Sequence, residues 1–241
     1  MAQRVAVVTG GMGLLWLVPW LLSYRKPPPL AATRAAPAPT SASSVLDLLG
    51  LRSTWGLMLT QGCVVYTQYL LLSWLPSYLQ TEKGLNVQNA GLFTAIPYAF
   101  SIGPALAVCH LSDRLAKGRT HEGLRSRMVA LMLLVSAVVL LTPFARSMWT
   151  ITGLITVSLI GVSSAISMNF ALASDLARSS RDVGKMTGIT AFGGNAFGLV
   201  APIVTGYVIA GTGSYTWAFV IAGALLGVGV VVALTLTRAG R

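Results

Sequence analysis

The sequence predicts an all-α, polytopic membrane protein with seven transmembrane helices. Seven apolar stretches run through its 241 residues, each near the roughly 20 residues a helix needs to cross a ~30 Å hydrocarbon core. Hydrophobic residues make up 54% of the chain and charged residues 10%, a balance that soluble domains of this length do not show. The basic residues also fall almost wholly on one side of the stretches, as the positive-inside rule requires of a threaded chain.

The stretches cover residues 5–23, 55–79, 90–111, 128–144, 150–171, 188–209 and 217–236. The first is N-terminal and apolar, but Arg4 is a thin basic leader. Tyr24, Arg25, Lys26 and Pro27 follow it where a signal peptide would carry small residues, so it reads as a retained helix. Residues 27–44 are rich in Pro, Ala, Ser and Thr and cannot bury a core, which marks a cytoplasmic linker. Residues 45–51 read as a short amphipathic lead-in. The expected organisation is a lone transmembrane helix at 1–26, a cytoplasmic linker at 27–50 and a six-helix bundle at 51–241.

Threading places Arg25, Lys26, Arg34, Arg52, Arg114, Lys117, Arg119, Arg125, Arg127, Arg178, Arg181, Lys185, Arg238 and Arg241 on one side, fourteen of the 17 basic residues. Arg4, Lys83 and Arg146 lie on the other. The fourteen-charge side is cytoplasmic, so the N-terminus is expected outside and the C-terminus inside. The net charge of +11 flanks membrane spans rather than forming one basic face. It therefore points to lipid headgroups and topology and excludes a nucleic-acid partner.

Other classes fall on chemistry. Cys63 and Cys109 form no metal-binding spacing, and His110 and His121 stand apart, so no metal or other cofactor is expected and the two thiols read as packing residues. No acid, Lys or Arg lies well inside a span. A retinal protein needs a Lys in its last helix, and an intramembrane enzyme needs paired Asp, Ser with His, or a metal cluster at membrane depth. No catalytic residue is expected.

Polar residues within spans need partners in protein or water. Gln61, Tyr66 and Tyr69 form a stripe in the second stretch, Asn169 stands beyond Ser163, Ser164 and Ser167 in the fifth, and Asn195 lies in the sixth. Each faces either a neighbouring helix or a ligand cavity. Gly194, Gly198, Pro202 and Gly206 recur every four residues, a small-residue stripe for close helix packing with a bend at the proline.

Four motifs bring a resemblance. They are Ser73-Trp74-Leu75-Pro76-Ser77-Tyr78-Leu79; Ala95-Ile96-Pro97-Tyr98; Leu111-Ser112-Asp113-Arg114-Leu115 with Gly118-Arg119; and Gly194-Asn195-Ala196-Phe197-Gly198 through Pro202 and Gly206, then Thr212-Gly213-Ser214-Tyr215. In this order and at these helix ends the chain resembles the major facilitator superfamily. Within it, the likeness is to the anion:cation symporters for bacterial sugar acids and related organic anions. The resemblance covers essentially the whole chain and corresponds to helices six to twelve of that fold. Cys109 departs from the glycine that usually begins the loop motif, and Ala191 stands where the family often has Asn.

The resemblance implies a carrier of the bacterial inner membrane that rocks two six-helix bundles and moves a small organic anion together with H+. It implies that Tyr69 and Asn195 lie near the substrate path, beside Tyr66, Gln61 and Asn169, which are candidate substrate contacts as polar residues within spans, and it implies a cytoplasmic gating loop built on Asp113, Arg114 and Arg119. The coupling charges would lie in an N-terminal transporter half of five further helices, missing here or carried by a separate chain. The competing expectation is a truncated remnant, or a half that works only with a partner.

Overall fold

A computed structural model describes residues 2–23, 43–116, 123–177 and 179–237. The chain divides into two compact units, Met1–Ser41 and Ala42–Arg241. Among its described residues the first unit holds helix α1 (Ala2–Ser23), with Pro19 inside it. The second unit starts ahead of the expected boundary at residue 51, because α2 (Val45–Leu49) belongs to it. Ser44 caps α2 and its backbone N–H donates to Asp47 at 2.8 Å, a reciprocal arrangement that stabilises so short a helix. Leu48 of α2 then buries against Leu57, Leu172, Ala173 and Met186.

Six membrane-length helices follow: α3 (Arg52–Thr81), α4 (Val87–Ala116), α5 (Leu124–Ser136) continued by a 3-10 helix (Ala137–Phe144), α6 (Met148–Leu176), α7 (Ser180–Thr212) and α8 (Thr216–Thr235). Among the described residues, α4, α5 with its continuation, α6, α7 and α8 are each long and apolar enough to cross a membrane. The 30-residue α3 has the length but carries Thr60, Gln61, Tyr66, Thr67 and Gln68 along its middle. It tolerates them because it is enclosed: α3 packs against α7, α8, α6 and α4 and is buried without a break from Thr60 to Thr67. α4 is its opposite, with 17% of its apolar window buried against 56% for α6.

The stretch at 128–144 is not one regular α-helix. It tightens to 3-10 after Ser136, where α6 and α8 come in close. A Cβ on Gly161 would lie 2.6 Å from the Met132 carbonyl oxygen, and one on Gly223 would overlap Leu140. The Ser158 hydroxyl donates to the Ser136 carbonyl at 2.9 Å. Pro143, which has no N–H to give, lies near the end of the tightened segment.

Two of the sequence motifs meet where α3 ends and α8 begins. The Ser77 and Tyr215 hydroxyls are 2.7 Å apart, and the Tyr215 ring stands edge-on to Trp74 and Tyr78 at 6.3 and 5.6 Å. The turn into α8 is made by Gly213 at φ 66°, a left-handed conformation that a side chain resists.

Candidate functional site

The polar residues expected at a substrate path separate into a buried set and an accessible set. Gln61 and Asn169 are brought together: Asn169 Nδ2 donates to Gln61 Oε1 at 2.8 Å and to the Leu57 carbonyl at 3.1 Å. Gln61 is 2% exposed and Asn169 is fully buried. Tyr66 is also buried, and its hydroxyl lies toward Thr205 of α7 without the geometry of a hydrogen bond. Ser167 donates back to the Ser163 carbonyl of its own helix at 3.0 Å, the usual fate of a hydroxyl in a membrane helix.

Tyr69 is half-buried, and Asn195 lies on an exposed face of α7, donating to the Ala191 carbonyl one turn back at 2.9 Å. Only these two of the five expected substrate contacts reach the surface of the bundle. Both are uncharged, and both offer hydrogen-bonding groups at membrane depth.

The small-residue stripe faces α3. A Cβ on Gly194 would meet Gln61 Cγ at 2.7 Å, one on Gly198 would meet the Tyr69 ring and Val65 at 3.0 Å, and one on Gly206 would touch Trp74 at 3.4 Å. The Trp74 indole donates to the Pro202 carbonyl at 3.3 Å. Gly193 belongs to the same contact, since its Cβ would lie 2.8 Å from that of Met58. The four-residue spacing did not include it, because Gly193 lies one position off the row of Gly194, Gly198 and Gly206.

Of the expected gating residues, Asp113 and Arg114 lie at the C-terminal end of α4. Asp113, in the last turns of α4, pairs with Arg125 of α5 at 3.2 Å, and Arg125 Nε also lies 3.1 Å from Asp175 at the end of α6. The second contact has the distance of an ion pair without hydrogen-bond alignment. Arg125 is 14% exposed, whereas Asp113 and Asp175 are 60% and 54% exposed. His110, Asp113, Arg114, Ala116, Arg125 and Asp175 line one cavity of about 430 Å³. Arg119 lies outside the described residues.

Sequence reasoning counted Arg125 only as a charge flanking a span and did not single out Asp175. The topology itself held the signal. α4 leaves the membrane, α5 enters and α6 leaves on the same side, so Asp113, Arg125 and Asp175 share one level. Among the described residues no group of three His, Cys, Asp or Glu could hold a metal ion, and the acids lie at or near helix ends.

Comparison with known proteins agrees with this architecture. The profile of the Major Facilitator Superfamily matches residues 3–181. The chain is 28% identical to a "Probable L-galactonate transporter" of Escherichia coli strain K12, over 96% of this chain and 54% of that protein. It is 29% identical to a "Hexuronate transporter" of Bacillus subtilis strain 168, over 89% and 53%. It is 31% identical to a "Probable sulfoacetate transporter" of Cupriavidus necator, over 76% and 43%. The chain thus spans about half the length of the curated relatives it matches, and over that half it belongs to the Major Facilitator Superfamily.

Proposed function

We propose that this chain is the C-terminal part of a twelve-helix carrier that moves a small organic anion, a sugar acid or related carboxylate, in symport with H+ by alternating access. The observation that carries this reading is the likeness, along 96% of the chain, to a transporter named for a sugar acid. The geometry fits. Tyr69 and Asn195 present uncharged donors and acceptors from α3 and α7, and the Asp113–Arg125–Asp175 cluster ties three helix ends where a cytoplasmic gate would close. The charges that bind the anion and couple the proton would then come from an N-terminal half. No covalent chemistry is involved. In a bacterial inner membrane the N-terminus would lie outside and the C-terminus in the cytoplasm.

A second reading follows from the half-length alignment. The chain would be a non-transporting remnant, or a half that works only with a partner chain. The test is uptake of labelled galactonate and glucuronate by bacterial cells lacking their own carriers, with this chain expressed from its natural reading frame. About 600 bases upstream of Met1, room for five more spans, are sequenced in parallel. Protonophore-sensitive uptake, with five further spans in frame, supports the carrier. A stop codon just upstream with no uptake leaves the second reading.

A further inference from the structure

Gln61 sits where α3, α6 and α7 converge. Asn169 of α6 grips it with a 2.8 Å hydrogen bond and grips the Leu57 carbonyl one turn earlier at 3.1 Å. From the other side α7 closes on its stem, for at Gly194 even a Cβ would come within 2.7 Å of Gln61 Cγ. Neither amide is accessible, at 2% and 0% exposure. A solute passing between two bundles touches residues on the bundle surface, and these two are not there.

What they do reach is the register of the helices. A helix rises 1.5 Å per residue, so a slip of one residue pulls both Asn169 bonds out of range. Apolar packing in a membrane permits such sliding, because helix contacts there gain nothing from excluding water; directional polar contacts do not. Two turns along the same row of α3, Tyr69 lies over Gly198 of α7 as Gln61 lies over Gly194. Whatever fixes Gln61 against α6 and α7 fixes the aim of Tyr69.

We infer that Gln61 and Asn169 are positioning residues. They form an amide clasp that sets the axial and rotational register of α3 against α6 and α7, holding Tyr69 at the transport path without touching the transported anion. The clause about transport rests on the function proposed above; the clasp itself does not.

The test reads the aim of Tyr69 without a substrate. A Tyr69→Cys variant, in a Cys63→Ala, Cys109→Ser background of the full chain in its native membrane, is labelled with a small thiol reagent. Gln61→Met and Asn169→Ser are each added to it. The labelling rate is expected to change at least threefold in each, and Gln61→Glu, which keeps the acceptor oxygen, is expected to stay within twofold of the parent. Unchanged labelling in Gln61→Met and Asn169→Ser overturns the inference. Where labelled carboxylate is taken up, Gln61→Met is expected to lower Vmax with KM within threefold. A tenfold rise in KM at unchanged melting temperature would show that Gln61 touches the anion, and would also overturn it. If no carboxylate is transported, the function proposed above fails while the labelling result still decides the clasp. Asn169→Ser, a small substitution common in membrane helices, serves if Gln61→Met does not accumulate.

Discussion

The Trp74 indole N–H donates to the Pro202 carbonyl at 3.3 Å, across the contact between α3 and α7. Pro202 has no N–H to give the Gly198 carbonyl one turn back, and the Trp74 bond, made to the carbonyl of Pro202 itself, ties α7 to α3 at that bend without replacing the lost bond. Trp74→Phe keeps most of the ring and removes the donor. The expected cost is about 0.5–1.5 kcal/mol, the net worth of one hydrogen bond. It would appear as a lower melting temperature in detergent, with normal insertion. No shift in melting temperature would mean that the bond contributes nothing.

The α3–α7 contact also separates two glycines of one helix. Gly193→Ala places a methyl 3.0 Å from the Met58 Cα, where backbone must move, and is expected to destabilise by about 1–3 kcal/mol. Gly188→Ala meets nothing within 4 Å and is expected to stabilise by about 0.5–1 kcal/mol through helix propensity. Thermal unfolding of the two variants side by side should show opposite signs; equal effects would refute the close approach.

Arg125 is shared by two carboxylates that are each more than half exposed. Exposed pairs contribute about 0.2–1 kcal/mol, so Arg125→Gln should change the melting temperature little. If the chain works in the carrier proposed above, the variant's expected effect is on transport: a several-fold loss of Vmax at near-normal KM, from a weakened closure at this end of the bundle. A variant with wild-type Vmax would remove the cluster from the gate.

Asp182 joins the end of the linker to α7. Its carboxylate accepts from the Ser43 backbone N–H and hydroxyl, both at 3.1 Å, and from Ser179 Oγ at 2.8 Å. The Lys185 ammonium donates to the Ser43 carbonyl at 2.6 Å. Asp182→Ala leaves the Ser43 N–H and the Ser43 and Ser179 hydroxyls without their acceptor and should lower the melting temperature clearly, while Arg181→Ala, an exposed neighbour, should not. Differential scanning fluorimetry of both variants decides it, and equal melting temperatures would count against the anchor.

The helices were legible because apolar length is a property of each stretch alone. α3 was readable despite its polar centre, since largely apolar segments flank that centre on both sides and its length suffices. The 3-10 tightening after Ser136 was not; it lies where Gly161 and Gly223 of other helices come in close, a contact that the stretch itself does not encode. The same division runs through the site. Gln61, Tyr66 and Asn169 stood out one by one as polar groups at membrane depth. That Gln61 spends its carbonyl on an amide 108 positions away depends on which faces of α3 and α6 turn inward, and a row of hydroxyls and amides does not encode that. Asn195 shows the reverse. It lies beside the glycine stripe in sequence, yet one residue of helical rotation carries it from the packed face to the exposed one.

The polarity of α3 has a consequence for how the protein is made. A helix enters the bilayer from the translocon according to its own apolarity, and α3 is the six-helix bundle's least suited member. Its main partner α7 begins at Ser180, about a hundred residues after α3 ends at Thr81. At ~5–20 residues per second of synthesis, α3 waits some 5–20 s for the glycine face that covers Gln61. During that interval it must be held by the insertion machinery or by helices already made, so biogenesis is where a further polar substitution in α3 would act first.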